Sequence, residues 1–360
     1  IFHAVTKRKV PVFLGSSFAF MGAIIAVKEA YNGDLAYAQG GIVIAGLIYV
    51  LFSFVIKKIG MDLIKKYLPA HVIGAMIIVI GLNLVPVAVG MARVNILLAV
   101  ITLGVALIIN FFGKGFFRQL SILVGVIVGY IAAMALGQLD ASAFANAQIF
   151  AIPSFTLPKF SGPAIAVIAP VVLAVFMEHV GDITTNGQVV GQDFVKDPGL
   201  NRTLLGDGLA TLVAGLIGGP ANTTYGENTG VLAITKNYDP SLLRLAAIFA
   251  IILGFVGKIG GFLQTIPTPV MGGISLMLFA MIALIGVKTI RTNNVEFNAV
   301  NVIVMAAILI LGLWSTYLQN ITGITLGIKI TETVSIAGFS LAAIAGVVLN
   351  AILYKVTKKA

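Results

Sequence analysis

Twelve long apolar stretches limit what this chain of 360 residues can fold into. Each is close to the roughly 20 apolar residues with which a helix crosses the hydrocarbon core of a bilayer. Hydrophobic residues make up 59% of the chain and charged residues 10%, whereas a soluble domain carries about 25% charged residues. The sequence therefore predicts an all-α, multi-pass membrane protein surrounded by lipid. The predicted spans are residues 11–27, 41–59, 70–92, 95–112, 118–136, 163–187, 201–219, 221–237, 241–261, 263–287, 298–318 and 333–354.

The positions of the basic residues predict the topology of these spans. The chain has 23 Lys and Arg residues and a net charge of +10. If residue 1 is cytoplasmic, 18 basic residues fall in seven cytoplasmic segments and five fall outside, as the positive-inside rule requires. The C-terminus is then cytoplasmic, and residues 140–162 form an external connecting loop. Because the charge is scattered, it does not indicate a nucleic-acid partner.

The composition also restricts the chemistry that the chain can perform. It contains no cysteine and three histidines, which excludes disulfides, iron–sulfur clusters and thiolate zinc sites. It shows no nucleophile–base pair and no metal-ligand spacing of the kind that enzymes use. We therefore expect neither an enzyme nor a bound cofactor.

Three pairs of short motifs recur in the same order in the two halves of the chain. The paired spans lie seven steps apart, and because seven is odd the second copy is inverted relative to the first. Inverted repeats are typical of secondary transporters. The pairs are residues 11–17 with 220–226, 55–60 with 256–260, and 69–75 with 267–273.

These motifs predict a 7+7 inverted-repeat transporter fold. The first repeat, residues 1–139, holds five predicted spans, and the second, residues 163–360, holds seven. Residues 140–162 connect them. On this prediction the first two spans of the fold are missing before Ile1.

Two of the spans, 11–27 and 221–237, are short and unusually polar. Both begin with proline and with Gly, Ser, Thr or Asn residues, which are poor helix formers. We expect an extended segment in each, followed by a half-helix that begins near Phe18 or Glu227. The two extended segments would pair with each other, since backbone at membrane depth must be paired inside the protein. The N–H groups of both half-helices would then face a ligand.

Three acidic residues fall well inside predicted spans, where a carboxylate is costly and usually functional. Asp207, near an end of the span 201–219, is counted with the interfacial charges. Glu178 and Asp182 lie at i and i+4 on one helix face. Two close carboxylates resist ionising together, which suits reversible protonation. Glu227 lies at the start of a half-helix, where the helix dipole favours an anion. His179 lies off the face of the pair and is interpreted as a packing residue.

The motif PANTTYGENTG at residues 220–230 closely resembles the signature of the nucleobase–cation symporter 2 family, also called nucleobase–ascorbate transporters, in its bacterial uracil permease branch. The resemblance implies fourteen spans in a core and a gate domain, proton-coupled uptake and a homodimer. Further matches are residues 14–20, 178–181, 196–199, 206–211 and 267–273.

The resemblance also implies a substrate site. Glu178 and Glu227 match the two glutamates that hold the polar edge of the pyrimidine, and Phe18 matches the aromatic residue beside its ring. Tyr225 and Gly226 match positions that offer backbone contacts.

The sequence departs from the family pattern at two positions. Asp182 stands where the pattern has a histidine linked to proton coupling, and Phe279 stands where it has a tyrosine near the ligand. We expect Glu178 and Asp182 to carry the coupling proton and Phe279 to line the substrate site without a hydroxyl contact.

The function predicted from these residues is proton-coupled uptake of uracil across a bacterial inner membrane. One alternative within the family is a purine such as xanthine or urate. A second is an anion transporter of the same fold, which would need a basic residue at the midpoint of a span, and the predicted spans have none there.

Overall fold

A computed structural model describes residues 1–60, 68–324, 326–329 and 335–357. Helices dominate the chain, with four short strands between them. In chain order the elements are α1 (Phe2–Val5), β1 (Leu14–Ser16), α2 (Met21–Ala30), α3 (Ala36–Ile59), α4 (Ala70–Arg93), α5 (Ile96–Phe112), α6 (Phe116–Gln119), α7 (Ser121–Ala135), α8 (Ser142–Asn146), α9 (Gly162–Ile168), α10 (Val172–Val190), α11 (Leu200–Ile217), β2 (Asn222–Thr224), α12 (Gly226–Thr235), α13 (Pro240–Gly254), α14 (Gly257–Gln264), α15 (Thr268–Thr292), α16 (Ala299–Leu313), α17 (Gln319–Thr322), β3 (Gly327–Lys329), β4 (Ser335–Ala337) and α18 (Gly338–Thr357).

Five helical segments are long and apolar enough to cross a membrane within the part of the chain that the structure describes. Four further apolar helices are shorter: α5, α7, α13 and α18. The predicted span 241–261 is shorter than expected, because α13 ends at Gly254 and a separate helix follows. The five long segments are Ala36–Lys58, Ala70–Arg93, Gly162–Val190, Thr268–Thr292 and Ala299–Leu318.

Both polar spans are broken in the predicted way. Strands β1 and β2 pair antiparallel, with Leu14 opposite Thr224 and Ser16 opposite Asn222. A 3₁₀ turn that starts at Phe18 leads from β1 into α2, and α12 begins directly after Tyr225. The predicted extended segments, their pairing and the half-helices that follow them are therefore confirmed.

The residue contacts divide the chain into two compact units. Unit 1 consists of Ile1–Asn83, Phe155–Tyr225 and Ile282–Ala360, and unit 2 of Leu84–Ser154 and Gly226–Met281. Each unit therefore draws on sequence from both sides of the connecting loop. The inverted repeat itself stays a prediction.

Helices α3 and α11 of unit 1 approach each other closely, at glycines. A Cβ atom on Gly208 would lie 2.7 Å from the Cβ of Tyr49 and 3.1 Å from the carbonyl oxygen of Gly46. Small residues at such positions let the backbones of membrane helices pack together. The absence of a side chain at residue 208 therefore determines the spacing of the two helices.

Helix α4 contains Pro86 in its interior. A proline has no N–H group, so the carbonyl oxygen of Leu82 loses its usual partner within the helix. The hydroxyl of Tyr317 donates to this oxygen at 2.5 Å, and the amide of Asn83 donates to the carbonyl oxygen of Gly312 at 2.9 Å. The side chain of Tyr317 thus pairs a backbone group that the proline has freed.

In unit 2, α5 and α7 pack along a stripe of small residues. Gly125 and Gly129 on α7 face Ala106 and Thr102 on α5, where a Cβ atom would overlap the facing side chain. Ala106 also belongs to a buried cluster with Ile274 and Met277 of α15.

The close packing at Gly208 predicts a specific loss of stability. Gly208→Ala should lower the free energy of unfolding by about 1–3 kcal/mol, because overpacking outweighs the gain in helix propensity. Gly104→Ala is the matched control, since a Cβ atom there has no neighbour within 4 Å. Thermal unfolding of both variants in detergent measures the difference, and equal melting temperatures would contradict the packing argument.

Candidate functional site

The strand pair forms the frame of the candidate site in unit 1. Its ladder continues one residue beyond the strands at each end: the amide of Tyr225 donates to the carbonyl oxygen of Phe13 at 3.1 Å, and that of Ser17 to Ala221 at 2.8 Å. Five residue pairs are therefore held in register. The half-helices start where this register ends, at Phe18 and Gly226.

Tyr225 folds back over the strand pair. Its hydroxyl donates to the carbonyl oxygen of Ser16 at 3.0 Å, and its ring covers Gly15 so closely that a Cβ atom there would overlap it. Residue 15 must therefore be glycine for the ring to take this position. The hydroxyl of Tyr225 is thus bound to Ser16 and its amide to Phe13, so a backbone contact between Tyr225 and a ligand stays a prediction.

Helix α10 holds both extended segments through polar residues on successive turns. The hydroxyl of Thr224 in β2 donates to Oδ2 of Asp182 at 2.8 Å. The amide of Asn186, which is fully buried, donates to the carbonyl oxygen of Pro11 at 3.0 Å. Glu178 lies one turn before Asp182 and is half-buried, as Asp182 is. The predicted carboxylate pair is thus on a helix that is bound directly to the broken spans.

A buried polar cluster links α10 to α11. Nδ1 of His179 lies 3.2 Å from Oδ2 of Asp207, and both side chains are fully buried. Nε2 of His179 lies 3.0 Å from the hydroxyl of Thr203, which itself donates to the carbonyl oxygen of Leu200. A hydroxyl that already donates its proton accepts from the imidazole, so Nε2 carries a proton.

Asp207 is the residue that reasoning from the sequence missed, because it fell near a predicted span end and was counted with the interfacial charges. His179 was interpreted as a packing residue, and its buried hydrogen bonds go beyond that interpretation. The glycines on both sides of Asp207 were the available signal, since small residues mark close helix packing and therefore burial.

The other predicted site residues are distributed over both units. Phe18 is half-buried in unit 1. Phe279 lies in unit 2, where it is 2% exposed, and Gly226 begins α12 of the same unit. The backbone of Glu227 is in the first turn of α12, but its side chain lies outside the described residues.

A cavity of about 350 Å³ opens beside the last two turns of α10. Its lining residues lie between Ile183 and Val195 in the chain and include Asp193. The predicted ligand residues are not among those described as lining it. This cavity is therefore lined by residues other than those predicted for substrate or proton binding.

The chain is similar to known permeases over almost its whole length. The model of a permease family, the nucleobase–ascorbate transporters, matches residues 1–321. The uracil permease of Bacillus caldolyticus is 40% identical, covering 98% of this chain and 82% of the relative. The uracil permease of Escherichia coli K12 is 37% identical, covering 97% and 81%, and a putative pyrimidine permease of the same strain is 35% identical, covering 98% and 80%.

The fold is similar to that of a solved structure, the transmembrane domain of a cyanobacterium bicarbonate transporter, BicA. The TM-score is 0.61 at 17% sequence identity, and the match covers 95% of this chain and 85% of that domain. At this identity the likeness shows a shared transporter fold alone.

The cluster around His179 predicts strong coupling between two residues. Asp207→Asn should lower the free energy of unfolding by about 1–3 kcal/mol, because it weakens the contact of a fully buried imidazole with its polar neighbour. A double-mutant cycle with His179→Asn tests the pair. The double variant should lose at least about 1 kcal/mol less stability than the sum of the losses of the two single variants. Chemical unfolding in detergent gives both quantities. Additive losses would show that the two side chains do not act as a pair.

Proposed function

Because this chain belongs to the nucleobase–ascorbate transporter family of permeases, we propose that it imports uracil with protons across a bacterial inner membrane by alternating access. It is a multi-pass membrane protein and a transporter of nucleobases, not an enzyme. The observation that carries the finer proposal is the pair of broken spans, bound through Thr224 to the carboxylate of Asp182.

The chemistry of uracil fits the groups that these elements carry. The ring offers N–H donors and carbonyl acceptors at its edge, together with two flat faces. In the proposed site Glu178 and Glu227 accept from the N–H groups of the ring. The backbone N–H group of Gly226 donates to a carbonyl oxygen, and Tyr225, whose own N–H group is bound to Phe13, positions that donor. The face of Phe18 stacks on the ring, and Phe279 adds an apolar contact. Charge-assisted bonds of this kind are about twice as strong as neutral ones.

The proposed coupling site is the pair Glu178 and Asp182. A proton bound between two carboxylates on one helix face relieves their mutual repulsion. Asp182 is bound to Thr224, two residues before α12 begins. Protonation of the pair would therefore act directly on the segment that carries the backbone donors. Release of substrate and proton on the cytoplasmic side then links uptake to the proton gradient.

The experiment must distinguish a transporter of uracil alone from a transporter of several pyrimidines, since one relative is named a putative pyrimidine permease. Binding of labelled uracil to the purified protein, with competition by thymine, cytosine and xanthine, tests the proposal. Competition by uracil alone supports a uracil transporter, and competition by thymine as well supports the wider range. Stronger competition by xanthine would overturn both in favour of a purine.

Glu227→Gln tests the substrate site. The substitution keeps the size of the side chain but places an NH₂ group against ring N–H groups, which also donate. Leaving donors unpaired costs about 1–3 kcal/mol, so uracil affinity should fall at least about tenfold. Glu296→Gln, at an exposed position, is the control and should bind normally. Undiminished affinity of the Glu227 variant would remove Glu227 from the site.

Asp182→Asn tests the coupling site. The variant should still bind uracil, since both glutamates and the backbone donors remain. Accumulation against a gradient should fail or move to lower pH, because the substitution removes the repulsion that favours proton binding at Glu178. Energy-independent exchange should survive. Uptake into proteoliposomes across a pH series measures both accumulation and exchange. The variant Glu29→Gln, at an exposed position, is the control.

The outcome against this proposal is proton-driven accumulation by Asp182→Asn with an unchanged pH profile. Coupling would then be assigned to Glu178 alone, and Asp182 would be left as the anchor of Thr224.

A further inference from the structure

The connecting loop carries a set of exposed apolar side chains that the transport proposal does not use. Residues 141–158 contain no charged residue, although Asp140 and Lys159 flank them. Six large apolar side chains in residues 149–160, the apolar arm, are each 58–81% exposed. They are Ile149, Phe150, Ile152, Phe155, Leu157 and Phe160. A stretch of this composition is unlike a loop in water, where polar residues predominate.

The first part of the arm is bound to the ends of helices in unit 2. The amide of Gly257 donates to the carbonyl oxygen of Ile149 at 3.0 Å, and the amide of Ala151 donates to Phe255 at 2.9 Å. Lys258 donates to the carbonyl oxygen of Phe144 at 2.8 Å and lies 4.9 Å from the centre of its ring. Because α13 ends at Gly254, these bonds hold the arm at the end of an apolar helix.

The last part of the arm is bound to the ends of helices in unit 1. The amide of Lys159 donates to the carbonyl oxygen of Ala36, the first residue of α3, at 2.9 Å. Its ammonium group donates to Asp34 at 2.7 Å, and this bond, with that from the Ala36 amide, lowers the pKa of Asp34. Beyond the arm, the hydroxyls of Tyr31 and Ser161 lie 2.5 Å apart.

From these contacts we propose that the apolar arm lies in the interface of the bilayer, with its Ile, Phe and Leu side chains among the lipid acyl chains. Its backbone is fixed at the ends of apolar helices, which is the depth of the interface. Phe and Leu side chains form the apolar face of segments that lie in the interface, and lysines extend their ammonium groups to the same depth. Pro153 and Pro158 have no N–H group, which removes two donors that lipid could not pair.

Lipid is a better occupant of this surface than a second copy of the chain. The six side chains follow one another along an extended segment without strand pairing to a neighbour, apart from the bridge between Phe150 and Val256 in the described structure. The core of a protein interface is apolar, but it is surrounded by a polar rim, and charged groups fix the register of the two chains. Between Asp140 and Lys159 the sequence offers no charge of either sign.

The absence of cysteine makes the test direct. Phe155→Cys and Leu157→Cys each introduce a single site for a nitroxide spin label in the full chain, reconstituted in liposomes. Power saturation should show greater accessibility to oxygen, which dissolves in lipid, than to a water-soluble nickel chelate. Asn146→Cys, at an exposed polar position of the same loop, is the control and should show the reverse.

Two results would overturn the proposal. Nickel accessibility above oxygen accessibility at both sites would place the arm in water. Low accessibility to both reagents, with an immobilised label, would show that protein covers the arm, and dipolar broadening would identify that protein as a second copy. Neither readout depends on uracil binding.

A second measurement controls for any disturbance of the arm by the spin label. Leu157→Trp adds one tryptophan to a chain that has one. Brominated lipids should quench the added fluorescence at least about twofold more than that of Asn146→Trp, because tryptophan in the interface lies near the brominated chains. Equal quenching of the two variants would count against the arm as a lipid contact.

Discussion

The requirement that every backbone polar group within the membrane be paired inside the protein determines this architecture. It is most demanding where a span is broken, and the chain meets it there by pairing the two breaks with each other: Leu14 to Ser16 with Asn222 to Thr224. The same requirement is visible at Pro86, whose missing N–H group leaves the Leu82 carbonyl oxygen to the hydroxyl of Tyr317. Under the proposed function, the breaks satisfy each other and leave N–H groups of the half-helices for a ligand.

Helix α10 connects this backbone arrangement to ionisable side chains. Within three turns it carries His179, which is buried against Asp207 of α11, Asp182, which is bound to β2, and Asn186, which is bound to the segment before β1. Polar groups buried in a low-dielectric interior are costly unless they are paired. A helix with one such bond on each of three successive turns is therefore held in one register against both strands.

The sequence was sufficient for features that depend on local chemistry. Proline with Gly, Ser, Thr and Asn residues at 11–17 and 220–226 predicts broken spans, because these residues disfavour a helix wherever they occur. The burial of Asp207 could not be predicted from its local sequence alone. Its burial follows from the approach of α3 to α11 at Gly46 and Gly208, which is a contact between distant parts of the chain. The end of α13 at Gly254 was missed for a related reason, since the apolar composition continues to residue 261 and apolar runs do not mark helix ends.

The bond between Thr224 and Asp182 also bears on how coupling and binding are related. Thr224 is the last residue of β2, and Gly226 is the first of α12, so a change at the carboxylate is separated from the helix N-terminus by one residue. An ionised Asp182 accepts from the hydroxyl through a charge-assisted bond, whereas a protonated carboxyl accepts more weakly through its carbonyl oxygen. Under the proposed mechanism proton binding therefore loosens the attachment of β2 to α10 at the same step that removes the repulsion from Glu178. Proton binding would then free the broken span to adjust to substrate in the same event. Coupling would require no extended pathway between two separate sites.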